Sequence, residues 1–244
     1  MKHRFASVIL PAVFGFCALF AAGWSGARGD SAGIEDLVTP EVPQDQHAAE
    51  VLPAEARSRL IDGNLRFVSG CTQHPRQTPN RRTELANTQW PFAVVLGCSD
   101  SRTGPEILFD QGLGDLFVIR GAGNLVDDHT IGSIEYAVEH LHSRLIVVLG
   151  HERCGAIAAA RDIVAAKGHA EGHIESIVAT IRPAVEATAG QDADATSKAN
   201  IRNMVHAIET AEPMLKHMVE KGEVKVVGAY YDLDTGAATF LPDR

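Results

Sequence analysis

Two short runs hold most of the residues that could do chemistry. Cys98-Ser99-Asp100-Ser101-Arg102 places a thiol, a carboxylate and a guanidinium at alternate positions, and Gly150-His151-Glu152-Arg153-Cys154-Gly155 places an imidazole three residues before a second thiol. Two thiolates, one imidazole and a fourth position suit tetrahedral zinc better than the oxygen-preferring cations, so Cys98, His151 and Cys154 are candidate ligands and Asp100 a candidate fourth. An arginine two residues from that acid gives the carboxylate a choice between metal and guanidinium, which reads as a gate. The competing reading is a structural zinc site, but such sites are usually closed by four Cys or His side chains. Taken singly, a buried cysteine is an apolar filler and a lone histidine a hydrogen-bonded surface group.

Both runs follow strand-length apolar segments. Phe92 to Leu96 leads into Gly97, Leu145 to Leu149 leads into Gly150, and a third such segment, Leu116 to Ile119, leads into Arg120. Unbroken apolar runs of this length are expected where a parallel sheet is covered on both faces, and α/β proteins place ligands at its carboxyl edge. Helical periodicity marks Pro53 to Gly70, 131–142, 154–166 and 198–221, and Cys154 would enter a helix whose N-terminal amides favour a thiolate. Val224 to Tyr231, the turn at 232–236 and Ala237 to Leu241 read as a strand and its return. The expected class is therefore α/β, a mainly parallel central sheet flanked by helices with a C-terminal returning strand. Gly112/Gly114 and Gly121/Gly123 do not extend to GxGxxG and read as turn glycines, not a dinucleotide site.

The 244 residues, 45% hydrophobic and 22% charged, suit one globular domain plus additional segments, not a disordered or multi-span membrane chain. A net charge of -9 removes the basic footprint that nucleic-acid binding needs. Lys2, His3 and Arg4 precede a stretch from Phe5 to Ala27 with no charge, so residues 1–27 read as a secretory signal peptide, with an uncleaved anchor as the alternative. The expected product is exported, periplasmic or secreted, with no stable membrane anchor; its net charge falls to -11 if the cut follows Ala27, since Lys2 and Arg4 leave. Residues 28–50, with Asp30, Glu35, Asp36, Glu41, Asp45 and Glu50, read as a flexible acidic leader, and 51–244 as the domain. Four cysteines are too few for a disulfide scaffold; Cys17 leaves with the signal, two bind metal, and Cys71 remains as a buried free thiol or, in an oxidising compartment, an intermolecular disulfide partner. His169 and His173 are spaced for a helix-face site, but Gly168 and Gly172 favour a solvated loop.

Together the CSDSR run and the GHxxCG run, 53 positions apart from Cys98 to His151, resemble the beta-class carbonic anhydrases. The similarity continues through Arg120, Ile134-Glu135-Tyr136-Ala137-Val138 and the C-terminal strand pair, covering roughly residues 55 to 241. The resemblance implies a zinc lyase, one ion per chain, that hydrates carbon dioxide reversibly to bicarbonate and is built from dimers or dimers of dimers. It implies Cys98, His151 and Cys154 as permanent ligands and Asp100 with Arg102 as a catalytic dyad. Gln89, Phe117 and Tyr136 match positions lining the substrate cleft, partly across a subunit interface, Gly155 a backbone contact and His140 a proton relay. Without the resemblance, Gln89 is a solvated residue before a strand, Phe117 and Tyr136 are core packing, and His140 is a surface histidine. Ala122 stands where a bulkier aliphatic is frequent. Val95 replaces the tryptophan of a non-catalytic bicarbonate pocket found in one branch, although Arg120 remains, which argues against gating through that pocket. A hydrolase of carbonyl sulfide or carbon disulfide on the same scaffold, or a zinc-stabilised non-enzymatic subunit, are the alternative functions.

Overall fold

A computed structural model describes residues 51–242. The signal segment and the acidic leader, residues 1–50, lie outside the described residues. The first element, α1 (Pro53–Val68), starts on a proline at its first turn and ends where Gly70, at φ 68°, takes the left-handed conformation that glycine tolerates. A short α2 (Pro79–Glu84) is capped by the Thr78 side chain, which accepts from the Arg81 N–H.

The strands β1 (Ala93–Gly97), β2 (Leu116–Arg120), β3 (Leu145–His151), β4 (Lys225–Tyr231) and β5 (Ala238–Phe240) form one sheet in the order β2-β1-β3-β4-β5. The first four are mutually parallel and β5 returns antiparallel along β4, as the apolar runs lead one to expect. Side chains alternate across the sheet. Val94, Leu96, Ile146, Val148 and Val226 face α4 (Asp128–Glu139), α7 (Ala193–Glu209) and α8 (Met214–Glu220) through Ile134, Ile201, Ile208 and Leu215. Ala93, Val95, Leu145, Val147 and Ala229 face α1 and α3 (Pro105–Leu108) through Ala56, Leu60 and Leu108. Burying each such Leu or Ile contributes about 1.5–3 kcal/mol, which fixes the central strands. At the sheet edge, by contrast, β2 is only half-buried along its length.

Beyond β3, α5 (Gly155–Ala165) and α6 (Ile174–Ala187) form a third cluster with Cys98 and Cys154 through Ile157, Ala160, Val178 and Ile181. The sequence reading passed over α6, where Pro183 interrupts the donor ladder although Val178, Ile181 and Val185 keep the apolar face. One helix expected over 198–221 is two: α7 begins five residues earlier, on an Asp192 side chain that accepts from the Ala195 N–H, and Pro213 separates it from α8. Similarly α4 runs over 128–139 instead of 131–142, because the Asp127 side chain caps it through the Thr130 N–H at 2.8 Å. His169 and His173 are exposed and precede α6, in agreement with the loop reading, whereas Cys71, expected to be buried, is exposed just after α1. Among the described residues no helix is long and apolar enough to cross a membrane.

Candidate metal centre and active site

Parallel register brings the two chemical runs together. Gly97 pairs with Leu149 and Arg120, so Cys98 and His151 leave the sheet side by side at its carboxyl edge, and Cys154 follows at the N-cap of α5. The ligand atoms of Cys98, His151 and Cys154 all lie within 4.8 Å of one another. All three residues are buried, at 5, 1 and 4% exposure. Close approach of α7 makes this possible: a side chain at Gly150 or Gly228 would collide with Ile201, and with the helix seated there Ser197 Oγ donates to the His151 carbonyl at 3.1 Å.

The imidazole is prepared for a ligand. Its Nδ1 donates to the Glu152 carbonyl at 2.8 Å, which assigns the proton to Nδ1 and leaves Nε2 as a bare lone pair. That Nε2 is buried without a hydrogen-bond partner. The sulfurs are likewise polarised. The Cys98 thiol is pushed down, first by the hydrogen bond with the Cys154 thiol, against burial and with help from His151, the Gly123 N–H and the Asp100 backbone. Cys154, the other member of the pair, is pushed up by the same contact and by burial. Gly123, at φ 76°, aims its N–H at Cys98 Sγ from 3.3 Å. A dication in that place would satisfy both sulfurs and the orphaned Nε2 together. The donor set therefore fits a borderline-soft dication.

Asp100 is turned to arginine. Its Oδ1 accepts from Arg102 N at 3.0 Å and Nε at 2.9 Å, and its Oδ2 from Nη2 at 2.7 Å. This fork holds the Asp100 carboxyl well below the usual carboxylate range. The loop is fixed from β2 as well, where Arg120 donates from Nε to the Cys98 carbonyl at 2.8 Å and from Nη2 to the Asp100 carbonyl at 2.6 Å. Thr103 Oγ1 adds a bond to the Asp100 carbonyl at 3.0 Å. Gly155 opens α5 directly after Cys154.

The remaining sequence candidates gather elsewhere in the chain. Phe117 lies three residues before Arg120 on β2, about 10 Å back from the carboxyl edge at the usual strand rise. Its ring is 6.3 Å from that of Tyr136, which is 5.1 Å from the His140 ring. Gln89 and Tyr136 share an open cavity of about 670 Å³ with Thr88, Leu113 and Leu141, and no candidate metal ligand lines it. Ala122 lines a different cavity of about 470 Å³ with Arg120, Leu125 and Ile177. Ser197 and Gly123, which hold the ligands, were not found by sequence reasoning, because a helix serine and a turn glycine carry no spacing signal.

Residues 93–238 match the family model described as carbonic anhydrase. The chain is 39% identical over 189 residues to carbonic anhydrase 2 of Mycobacterium tuberculosis, covering 76% of this chain and 91% of that protein. It is 40% identical over 189 residues to a carbonic anhydrase of Mycolicibacterium smegmatis, covering 75% of this chain and 91% of that one. Among solved structures, the Coccomyxa beta-carbonic anhydrase in complex with acetazolamide superimposes with a TM-score of 0.59 at 26% identity, over 75% of this chain and 85% of that chain. These relatives give no support to a carbonyl sulfide or carbon disulfide hydrolase, or to a non-enzymatic subunit. With both motif runs converging on one buried corner, the chain belongs to the carbonic anhydrase family, in its beta class.

Proposed function

We propose that Cys98, His151 and Cys154 hold one zinc ion per chain, at which carbon dioxide is reversibly hydrated to bicarbonate and a proton. The observation that carries this reading is the convergence of two sulfurs and the unpartnered His151 Nε2 in one buried cluster. Zinc bound there supplies Lewis-acid chemistry that makes water nucleophilic near neutral pH. Asp100, kept ionised and aimed by Arg102, accepts a hydrogen bond from the attacking water and so turns a lone pair toward carbon dioxide. Arg102 also holds that carboxylate away from the ligand cluster, and its loss lets Asp100 serve as a fourth ligand in its place. Gly155 offers its backbone beside the reacting carbon, and His140, exposed beside Tyr136, carries the released proton on its imidazole to buffer.

The cleft is completed by assembly. Gln89, Phe117 and Tyr136 form a half-exposed patch on and beside the edge strand, away from the metal corner of their own chain, which suits residues that line the corner of a second copy. The mature protein is exported, beginning near residue 24 or 28. Stopped-flow hydration of carbon dioxide by metal-analysed protein tests the activity, and N-terminal mass spectrometry of the soluble protein tests export. Absence of catalysis at one zinc per chain contradicts the first; an intact Met1 contradicts the second.

A further inference from the structure

The turn between β4 and β5 is bolted to the metal corner by charged side chains with no part in ligand binding. Arg153, between His151 and Cys154 in sequence, has φ 50°, a left-handed conformation that a residue with a side chain keeps only where its surroundings hold it. Two carboxylates supply that hold. Asp234 accepts from Arg153 Nη1 at 3.1 Å and from Nη2 at 2.7 Å, and Glu152 Oε2 lies 3.2 Å from Nη2. Glu152 is itself anchored, accepting from the Leu233 N–H at 3.1 Å and donating its own N–H to the Tyr231 carbonyl at 2.9 Å. Asp234 is presented by a turn that Asp232 Oδ1 organises, accepting from the N–H groups of Asp234 and Thr235 and from Thr235 Oγ1.

The carbonyl of Arg153 faces the dyad. Arg102 Nη2, which donates to Asp100 Oδ2, also reaches this carbonyl at 3.4 Å. The Arg102 side chain is half exposed, so the carboxylate alone leaves much of its rotamer freedom; a second acceptor on the opposite loop restricts it. We propose that Asp234 and Arg153 are positioning residues for the Asp100–Arg102 pair: Asp234 grips Arg153, whose carbonyl orients the Arg102 guanidinium that holds Asp100. This rests on the reading of Asp100 and Arg102 as the catalytic dyad.

The test compares Asp234→Ala, Asp234→Glu and Arg102→Ala in full-length protein loaded with zinc, and again with cobalt(II), whose visible absorption reports a change of ligands. Asp234→Ala is expected to lower kcat about two- to fivefold, the range for an exposed ion pair, with KM and zinc content unchanged. Its cobalt spectrum is expected to move toward that of Arg102→Ala, and Asp234→Glu to restore both readouts. Wild-type kcat and cobalt spectrum in Asp234→Ala, while Arg102→Ala alters both, overturns the positioning role and leaves the dyad intact. A lowered melting temperature without a spectral change marks a simple turn staple and overturns it equally. Unchanged kcat in Arg102→Ala overturns the dyad reading itself.

Discussion

At the carboxyl edge of β1 and β3, Cys98, His151 and Cys154 are almost fully buried and their carbonyls, sulfurs and Nδ1 are held by Arg120, Gly123, Ser197 and Glu152, whereas on β2 and α4 the Phe117–Tyr136 patch leaves Tyr136 48% exposed above an open cavity. Both regions belong to one sheet. The difference is one of position: β1 and β3 are central strands covered on both faces, and β2 is an edge. On the proposed reading, metal binding is therefore a property of the single chain, while the substrate wall is a property of the assembly.

The largest expected effect breaks the buried half. Cys154→Ala, Cys98→Ala or His151→Ala removes one of three anchors, so zinc per chain is expected to fall toward zero and hydration by more than about 100-fold, read by metal analysis and stopped flow. Next in size is Arg102→Ala, expected to keep zinc and lose about 10- to 100-fold in turnover if, as proposed, the dyad orients the reactants without holding the ion. Sharpening the other half, Tyr136→Ala is expected to lower turnover about tenfold, chiefly in the assembled protein, with zinc content unchanged. Fully active monomer in sedimentation at micromolar concentration would refute the shared cleft.

A smaller effect concerns the scaffold that carries α1 to the sheet. Asp110 is buried, which pushes its carboxyl up, but hydrogen bonds from the Gln73 N–H, Arg66 and the His74 N–H outweigh this and hold it below the usual carboxylate range. A depressed carboxyl stabilises the fold above the ordinary unfolded pKa of about 3.9, and that contribution is lost as pH falls through the lower folded value. Asp110→Asn is therefore expected to cost about 2 kcal/mol at pH 7 in denaturant unfolding and less at pH 3, below the ordinary unfolded value. An equal difference at both pH values would show that the charge is not the stabilising feature.

Much of the metal corner was legible because its signal is local. A cysteine and a histidine placed just after apolar runs must emerge at one sheet edge once those runs pair in parallel, and Gly97 and Gly150 mark where each run ends. What holds the corner was not legible, since Ser197 reaches His151, and Asp234 reaches Arg153, across 46 and 81 residues that no local period records. The overlooked α6 and the split of α7 from α8 both turn on proline. Pro183 is tolerated because the apolar face of α6 packs on α5, whereas Pro213 stands at the N-cap of α8, after α7 has ended. Gln89, Phe117 and Tyr136 could be named only through the family resemblance, as their grouping in one chain gives an aromatic patch with no chemistry of its own.

The most direct measurement is the hydration rate of carbon dioxide as a function of pH and of zinc per chain. Two thiolates cancel the charge of the dication, so the controlling ionisation is expected above the value of about 7 found with three neutral histidines. Activity should rise in proportion to zinc up to one ion per chain and climb between about pH 6.5 and 8.5, with zinc retained at the acid end. A rate that is independent of zinc, or that stays flat or falls across this range, would contradict the account.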